Sequence, residues 1–213
     1  MQKILATAAS LTLLAASATS QAMVTFSGFE DDDSPLRYDV SASTDNGDGP
    51  LTIAVNDFLV DENSAVPVAL DTFTFTIDAE PGFFITSIDS FEEAVTFESN
   101  DPTGVLVATG TIAVSANGNN DTRSLGTKIF NGITGVTIET LMTTPFMWDI
   151  ADQVTSVTVS ITNSLTAVGT DLSVEKGDAT VTVSTAFVPL PASFWLLMSG
   201  VGLAFARGRK NAV

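Results

Sequence analysis

Residues Asp71-Thr-Phe-Thr-Phe-Thr-Ile-Asp78 alternate without a break, with Phe73, Phe75 and Ile77 at every second position and Thr72, Thr74 and Thr76 between them. A side-chain period of two places these sets on opposite faces of an extended strand, whereas a surface helix needs apolar residues three or four apart. The pattern recurs along the chain. Leu51, Ile53 and Val55 alternate with Thr52 and Ala54, and Val157, Val159 and Ile161 with Thr158, Ser160 and Thr162. Val181 and Val183 alternate with Thr180, Thr182 and Ser184, Val136 and Ile138 flank Thr137, and Leu36, Tyr38 and Val40 flank Arg37 and Asp39. Turn-forming groups punctuate these runs: Asn46-Gly47-Asp48-Gly49-Pro50, Pro81-Gly82, Asp101-Pro102-Thr103-Gly104, Asn117-Gly118-Asn119-Asn120 and Asn131-Gly132.

No long helical periodicity interrupts residues 23–187, although Thr143 to Val154 leaves room for a turn of helix. The spacing predicts about ten or eleven short strands, each with one apolar face, folded as an all-β antiparallel β-sandwich. A jelly roll or β-helix is the runner-up, and no fixed-period repeat points to a solenoid or propeller. The outward faces are rich in Thr and Ser. β-branched threonine suits a solvated strand face, and the same hydroxyls could serve a sugar-binding one.

The 213 residues include 25 acidic and 8 basic ones, for a net charge of -17. Between Met23 and Phe187, Arg37, Arg123, Lys128 and Lys176 are the basic residues set against all 25 acids. A field of that sign repels nucleic acid and anionic lipid headgroups, so no nucleic-acid partner is expected. The sequence has neither Cys nor His. Disulfides, thiol nucleophiles, Ser-His-Asp catalysis and His-ligated zinc are therefore excluded.

Residues 1–22, MQKILATAASLTLLAASATSQA, have the parts of a secretory signal peptide: Lys3, the apolar run Ile4 to Ala16, and Ser20-Gln21-Ala22 with small residues at −3 and −1. Cleavage is expected after Ala22, with Ala16-Ser17-Ala18 as a competing site. The apolar run is too short to span a bilayer, which takes about 20 residues. Residues 23–187 are then the extracytoplasmic domain.

Three stretches of that domain invite a chemical reading. Thr44 to Gly49 resembles the centre of a calcium loop, but with Asn46, Asp48 and Gly49 at positions 3, 5 and 6, positions 1 and 12 fall on Thr44 and Val55 instead of carboxylates. A hairpin loop is the better reading. Glu30-Asp31-Asp32-Asp33 could bridge a cation, yet reads first as a solvated acidic turn before Pro35. Glu92-Glu93, near Asp89, suggests paired catalytic carboxylates, but neighbours on one strand face opposite sides and cannot flank a glycosidic bond alone. Trp148-Asp149 could line a sugar site or serve the core. No catalytic residue, metal site or cofactor is assigned, and a non-enzymatic protein is expected.

The tail from Val188 to Val213 differs in composition. Leu190 to Ala206 is uncharged and as a helix would span roughly 25 Å, against about 30 Å for a bilayer core. Arg207, Arg209 and Lys210 follow it as a basic stop-transfer cluster, as the positive-inside rule expects. Before the span, Val188-Pro189-Leu190-Pro191-Ala192 sets two prolines one residue apart, which keeps the chain extended and unpaired. Motif, short span and basic end in this order resemble the PEP-CTERM class of sorting signals, in its VPLPA variant, and residues 188–213 carry the resemblance. Ala79 to Asp89 is also similar to segments of proteins in that class.

The resemblance implies a Gram-negative bacterium with an exosortase that reads Val188 to Ala192. It also implies membrane anchoring through a helix at about 190–206, then release to the cell surface or biofilm matrix. The function expected is a non-enzymatic surface or matrix protein. The alternative is a carbohydrate-binding module of the exopolysaccharide matrix, with calcium-dependent binding as one form of it, and a secreted hydrolase stands third.

Overall fold

The computed structural model describes residues 24–31, 38–44, 50–55, 58–61, 67–132 and 134–187. The signal-peptide reading, most of the Thr44–Gly49 loop, and the whole tail from Val188 to Val213 on which the sorting-signal reading rests lie outside these residues.

The described residues form two antiparallel sheets. The first lines up β1 (Val24–Asp31), β5 (Val68–Ala79), β11 (Ser156–Val168), β7 (Val105–Ala116) and β8 (Asn119–Asn131), in that order. The second runs β10 (Phe146–Met147), β6 (Phe83–Ser99), β12 (Leu172–Phe187), β3 (Leu51–Val55) and β2 (Tyr38–Thr44). In it, β4 (Leu59–Asp61) also pairs with β12, and β9 (Gly135–Met142) also pairs with β6. Every recorded strand pair is antiparallel, which excludes the parallel coils of a β-helix for these residues.

Strand alternation decides what is buried. On β5, Phe73, Phe75 and Ile77 are fully buried, while Thr72, Thr74 and Thr76 occupy the other face. Val157, Val159 and Ile161 of the adjacent β11 share the same interior, and Ile85, Phe91, Val95 and Phe97 of β6 face it from the second sheet. Phe97 stacks on Phe130 of β8 with ring centroids 5.7 Å apart, a contact that crosses between the sheets. On the outer face the hydroxyls pair across strands, Thr72 with Thr162 at 3.2 Å and Thr74 with Ser160 at 3.3 Å. Such pairs add modestly to an antiparallel ladder.

Local chemistry sets the connections. Asn117 (φ 50°) and Gly118 (φ 77°) join β7 to β8 as a two-residue turn with both residues in the left-handed region, the arrangement Asn-Gly favours. The helical turn allowed within 143–154 is a 3-10 turn, Ile150–Asp152, capped by Asp149, whose side chain accepts from the Ala151 N–H at 2.9 Å. The passage from β11 to β12 is pinned by Asp101, whose carboxylate accepts from the Thr170 N–H and from both the N–H and hydroxyl of Thr103. These donors hold Asp101 below the usual carboxylate range.

The expectation of uniformly short strands needs correction. β6 and β12 run 17 and 16 residues and pair over most of their length. Their ladder shifts register between Lys176 and Ala179, between Thr182 and Val183, and between Ser184 and Thr185. Each shift interrupts the one-to-one pairing of the two strands, and irregularities of this kind let long strands bend.

Candidate functional site

Two sites stand out in this frame, one sealed between the sheets and one open at their edge. Three polar side chains meet within the apolar interior. Glu93 on β6 and Asn163 on β11 are fully buried, and Lys176 on β12 is 1% exposed. Lys176 Nζ donates to Asn163 Oδ1 at 2.5 Å, and Asn163 Nδ2 donates to Glu93 Oε1 at 2.7 Å. Lys176 Nζ also donates to Glu93 Oε2, closing a ring of three groups. Asn163 belongs to the first sheet and the other two to the second, so the ring spans the sandwich.

The neighbouring backbone explains how these groups fit. Lys176 keeps the inward phase of Leu172 and Val174, and Glu93 that of Phe91 and Val95, so both side chains enter the interior. The ladder shifts register only beyond Lys176, before Ala179 pairs with Glu93. Opposite Asn163, the β7 position is Gly110, where an added Cβ would overlap Asn163 Oδ1 and Leu125. Asp71 occupies the β5 position on the other side of Asn163 and is 3% exposed. Burial acts on both ionisable partners of the ring. It pushes the Glu93 carboxyl up and the Lys176 ammonium down, each partly offset by the charge of the other.

The open site lies where the β7–β8 hairpin tip meets β10. A cleft of about 80 Å³ is lined by Asn119, Asn120, Asp121, Arg123, Met147 and Trp148, among others. Trp148 is half-buried against the core, and its backbone N–H donates to the Thr86 carbonyl at 2.9 Å. Arg123 donates through Nε and Nη2 to Asp121 Oδ2, at 3.0 and 2.7 Å, and through Nη1 to the carbonyls of Thr144 and Pro145. Its guanidinium carbon lies 4.1 Å from the centre of the Phe146 ring. Asn117 Nδ2 donates to the Asp152 carbonyl at 2.7 Å, tying the hairpin tip to the 3-10 turn beyond Trp148. On the outer face of the same hairpin, a second groove runs past Asn120 over Ser115, Thr122, Thr158 and Ser160.

The residues singled out from sequence fare differently. Glu92 is exposed and Glu93 is sealed in the core, so the pair sits on opposite faces as strand geometry requires. Asp89 accepts from the hydroxyls of Ser87 and Ser184 and stands apart from both. Glu30 and Asp31 lie on β1 opposite Thr74 and Phe73. Trp148 turns out to serve both the core and the cleft. Of the buried ring only Glu93 stands out in the sequence as a candidate, although its partners carry a signal too: Asn163 continues the inward phase of Val157, Val159 and Ile161, and Lys176 that of Leu172 and Val174.

Removing Lys176 tests how tightly this ring is coupled. In Lys176→Met, the Glu93 carboxyl loses the cation that opposes the effect of burial, so its pKa rises further above the ordinary 4.5. A raised folded-state pKa means stability is complete below about 4.5 and falls as pH climbs toward the folded value. The variant is expected to be about 3–5 kcal/mol less stable than the wild type at neutral pH in urea unfolding, and its own stability is expected to rise as pH is lowered toward 4.5. Asp71, the other acid in this row, stays in place in both chains. A neutral-pH loss below about 1 kcal/mol, or a variant whose own stability falls over that range, would contradict the coupling.

No protein-family model and no curated protein matches the sequence. Among solved structures the chain is similar to TmCBM61, determined in complex with β-1,4-galactotriose, with 12% identity over 77% of this chain and 90% of that one and a TM-score of 0.26. It is also similar to the C-terminal family 22 carbohydrate binding module of Clostridium thermocellum Xyn10B, with 10% identity over 81% and 92% of the two chains and a TM-score of 0.29. A CBM4 structure shares 14% identity over 79% of this chain and 90% of its own, with a TM-score of 0.21. Superpositions this loose carry no argument about a ligand, so what this chain binds has to follow from its own side chains.

Proposed function

We propose that this chain is an exported, non-enzymatic protein whose sandwich binds extracellular polysaccharide at the Trp148 cleft. The observation that carries the reading is the cleft's lining: one indole set among two side-chain amides and an Asp–Arg pair. A pyranose ring presents apolar C–H faces and a rim of hydroxyls. An aromatic surface with a few convergent planar hydrogen-bonding groups suits both features. The acidic remainder of the surface favours neutral polysaccharide over an anionic one. A hydrolase is disfavoured, because Glu93 cannot reach solvent and Glu92 points the other way.

Affinity electrophoresis against the producing organism's own exopolysaccharide checks this reading. The wild-type chain is expected to be retarded, and Trp148→Ala and Asn120→Ala to lose most of the retardation while keeping their circular dichroism. The one carboxylate lining the cleft, Asp121, is already paired with Arg123, so EDTA is expected to leave binding unchanged. Equal retardation of the wild type and both variants would remove the cleft from the binding reaction.

Delivery is a separate part of the proposal and rests on the tail. Val188 to Ala192 would be read by an exosortase, Leu190 to Ala206 would hold the chain in the membrane beforehand, and Arg207, Arg209 and Lys210 would keep the end inside. Mass spectrometry of the mature protein from exosortase-positive cells is expected to show a chain that starts at Met23 and lacks the residues beyond the VPLPA motif. A mature chain still ending at Val213 would leave a plain membrane anchor in place of a processed signal.

A further inference from the structure

We propose that Lys176 and Asn163 become joined by an intramolecular isopeptide bond between Nζ and Cγ, with Glu93 moving the protons. Amide formation from an amine and a carboxamide is slow in water for three reasons. The amine is protonated, the amide is a poor electrophile, and the two collide rarely. The buried ring answers each of these in turn.

Position comes first. Nζ lies 2.5 Å from Oδ1. With a carbonyl bond of about 1.2 Å, this puts the amine within about 3.7 Å of Cγ, close to the roughly 3–3.5 Å of a near-attack arrangement. Donor and acceptor stand on different sheets, so the packed interior holds the pair together without further ordering. Gly110 leaves the space that the Asn163 amide occupies.

Protonation is the second matter. Glu93 touches both nitrogens that must exchange roles, Nζ through Oε2 and Nδ2 through Oε1. One carboxyl can therefore take a proton from the nucleophile and give one to the leaving group. Burial drives the same state, because it disfavours both the ammonium and the carboxylate. Transfer of one proton from Lys176 to Glu93 converts two buried charges into a neutral amine and a neutral acid.

The step then balances without an added reactant. The Nζ lone pair attacks Cγ, forming the new C–N bond, and the carbonyl electrons move to Oδ1. Glu93 protonates Nδ2 and accepts a proton from Nζ. The Cγ–Nδ2 bond breaks as the carbonyl re-forms, and ammonia leaves. Nothing is oxidised or reduced, and Glu93 ends protonated as it began, the proton it gave to Nδ2 replaced by one from Nζ. The absence of solvent around these groups keeps water from competing as nucleophile.

The product would be a covalent strut between β11 and β12, and so between the two sheets. A permanent ion pair would hold the same contacts but leave the chain's mass unchanged, and this difference decides the matter. Denatured wild-type chain, cut after acidic residues, would release segment 153–171 and the tripeptide Lys176-Gly177-Asp178. The expected result is one branched peptide joining them, lighter than their sum by one ammonia. Succinimide formation at Asn117-Gly118 or Asn131-Gly132 also expels ammonia, so the branch itself is the diagnostic product. Glu93→Gln keeps the size of the side chain and is expected to give the two linear peptides, whereas Glu93→Asp keeps the acid and is expected to retain some branching. Linear peptides from the folded wild-type chain would overturn the proposal. A fully branched Glu93→Gln chain would overturn the role given to Glu93. Should Glu93→Gln fail to fold, the wild-type digest still decides whether the bond exists.

Discussion

The sandwich depends on a polar tie through its middle. Two sheets whose inner faces are Val, Ile, Leu and Phe can slide over one another at small cost, because hydrophobic attraction has no direction. The Glu93–Asn163–Lys176 ring has direction. Its hydrogen bonds can form in one alignment of β6, β11 and β12, and any slip leaves buried polar groups without partners, at a cost of about 1–3 kcal/mol each. Apolar residues give the structure most of its stability, and the ring specifies how the sheets meet.

The same principle extends to the rim. The basic residues of the domain are few, and the three that are described, Arg123, Lys128 and Lys176, all link one sheet to the other. Lys128 on β8 pairs with Glu139 on β9 at 2.9 Å, and Arg123 on β8 reaches the segment that leads into β10. In a chain with 25 acidic residues, Arg123 and Lys128 also relieve repulsion where the sheet edges approach. Arg123 does one thing more. By holding Asp121 and resting on Phe146, it fixes the floor of the Trp148 cleft, so the tie between the sheets also shapes the site.

Much of the fold was legible because alternation is a local signal. Asp71 to Asp78 and Val157 to Ile161 name their own inner faces, and the Asn117-Gly118 turn names its hairpin. The length of β6 and β12 was hidden, since the period of two is lost between Lys176 and Ala179, where their ladder shifts register. The buried ring was hidden for another reason. Glu93, Asn163 and Lys176 are 70 and 13 residues apart along the chain, and the topology is what brings them together. A lone Lys or Asn in an inward phase flags itself, but its partner does not. The cleft is similar: Trp148 was visible as a residue, while its neighbours Asn119 and Asn120 read as turn formers alone.

The central functional claim is that the Trp148 cleft takes a sugar. The sequence has 2 tryptophans, Trp148 and Trp195, so a Trp195→Phe chain carries its single indole at the cleft. Its fluorescence during titration with exopolysaccharide therefore reports on that site alone. The account expects a saturable change in Trp148 emission that tracks the amount of polysaccharide bound. Polysaccharide binding with Trp148 emission unchanged through saturation, or no binding at all, would contradict it.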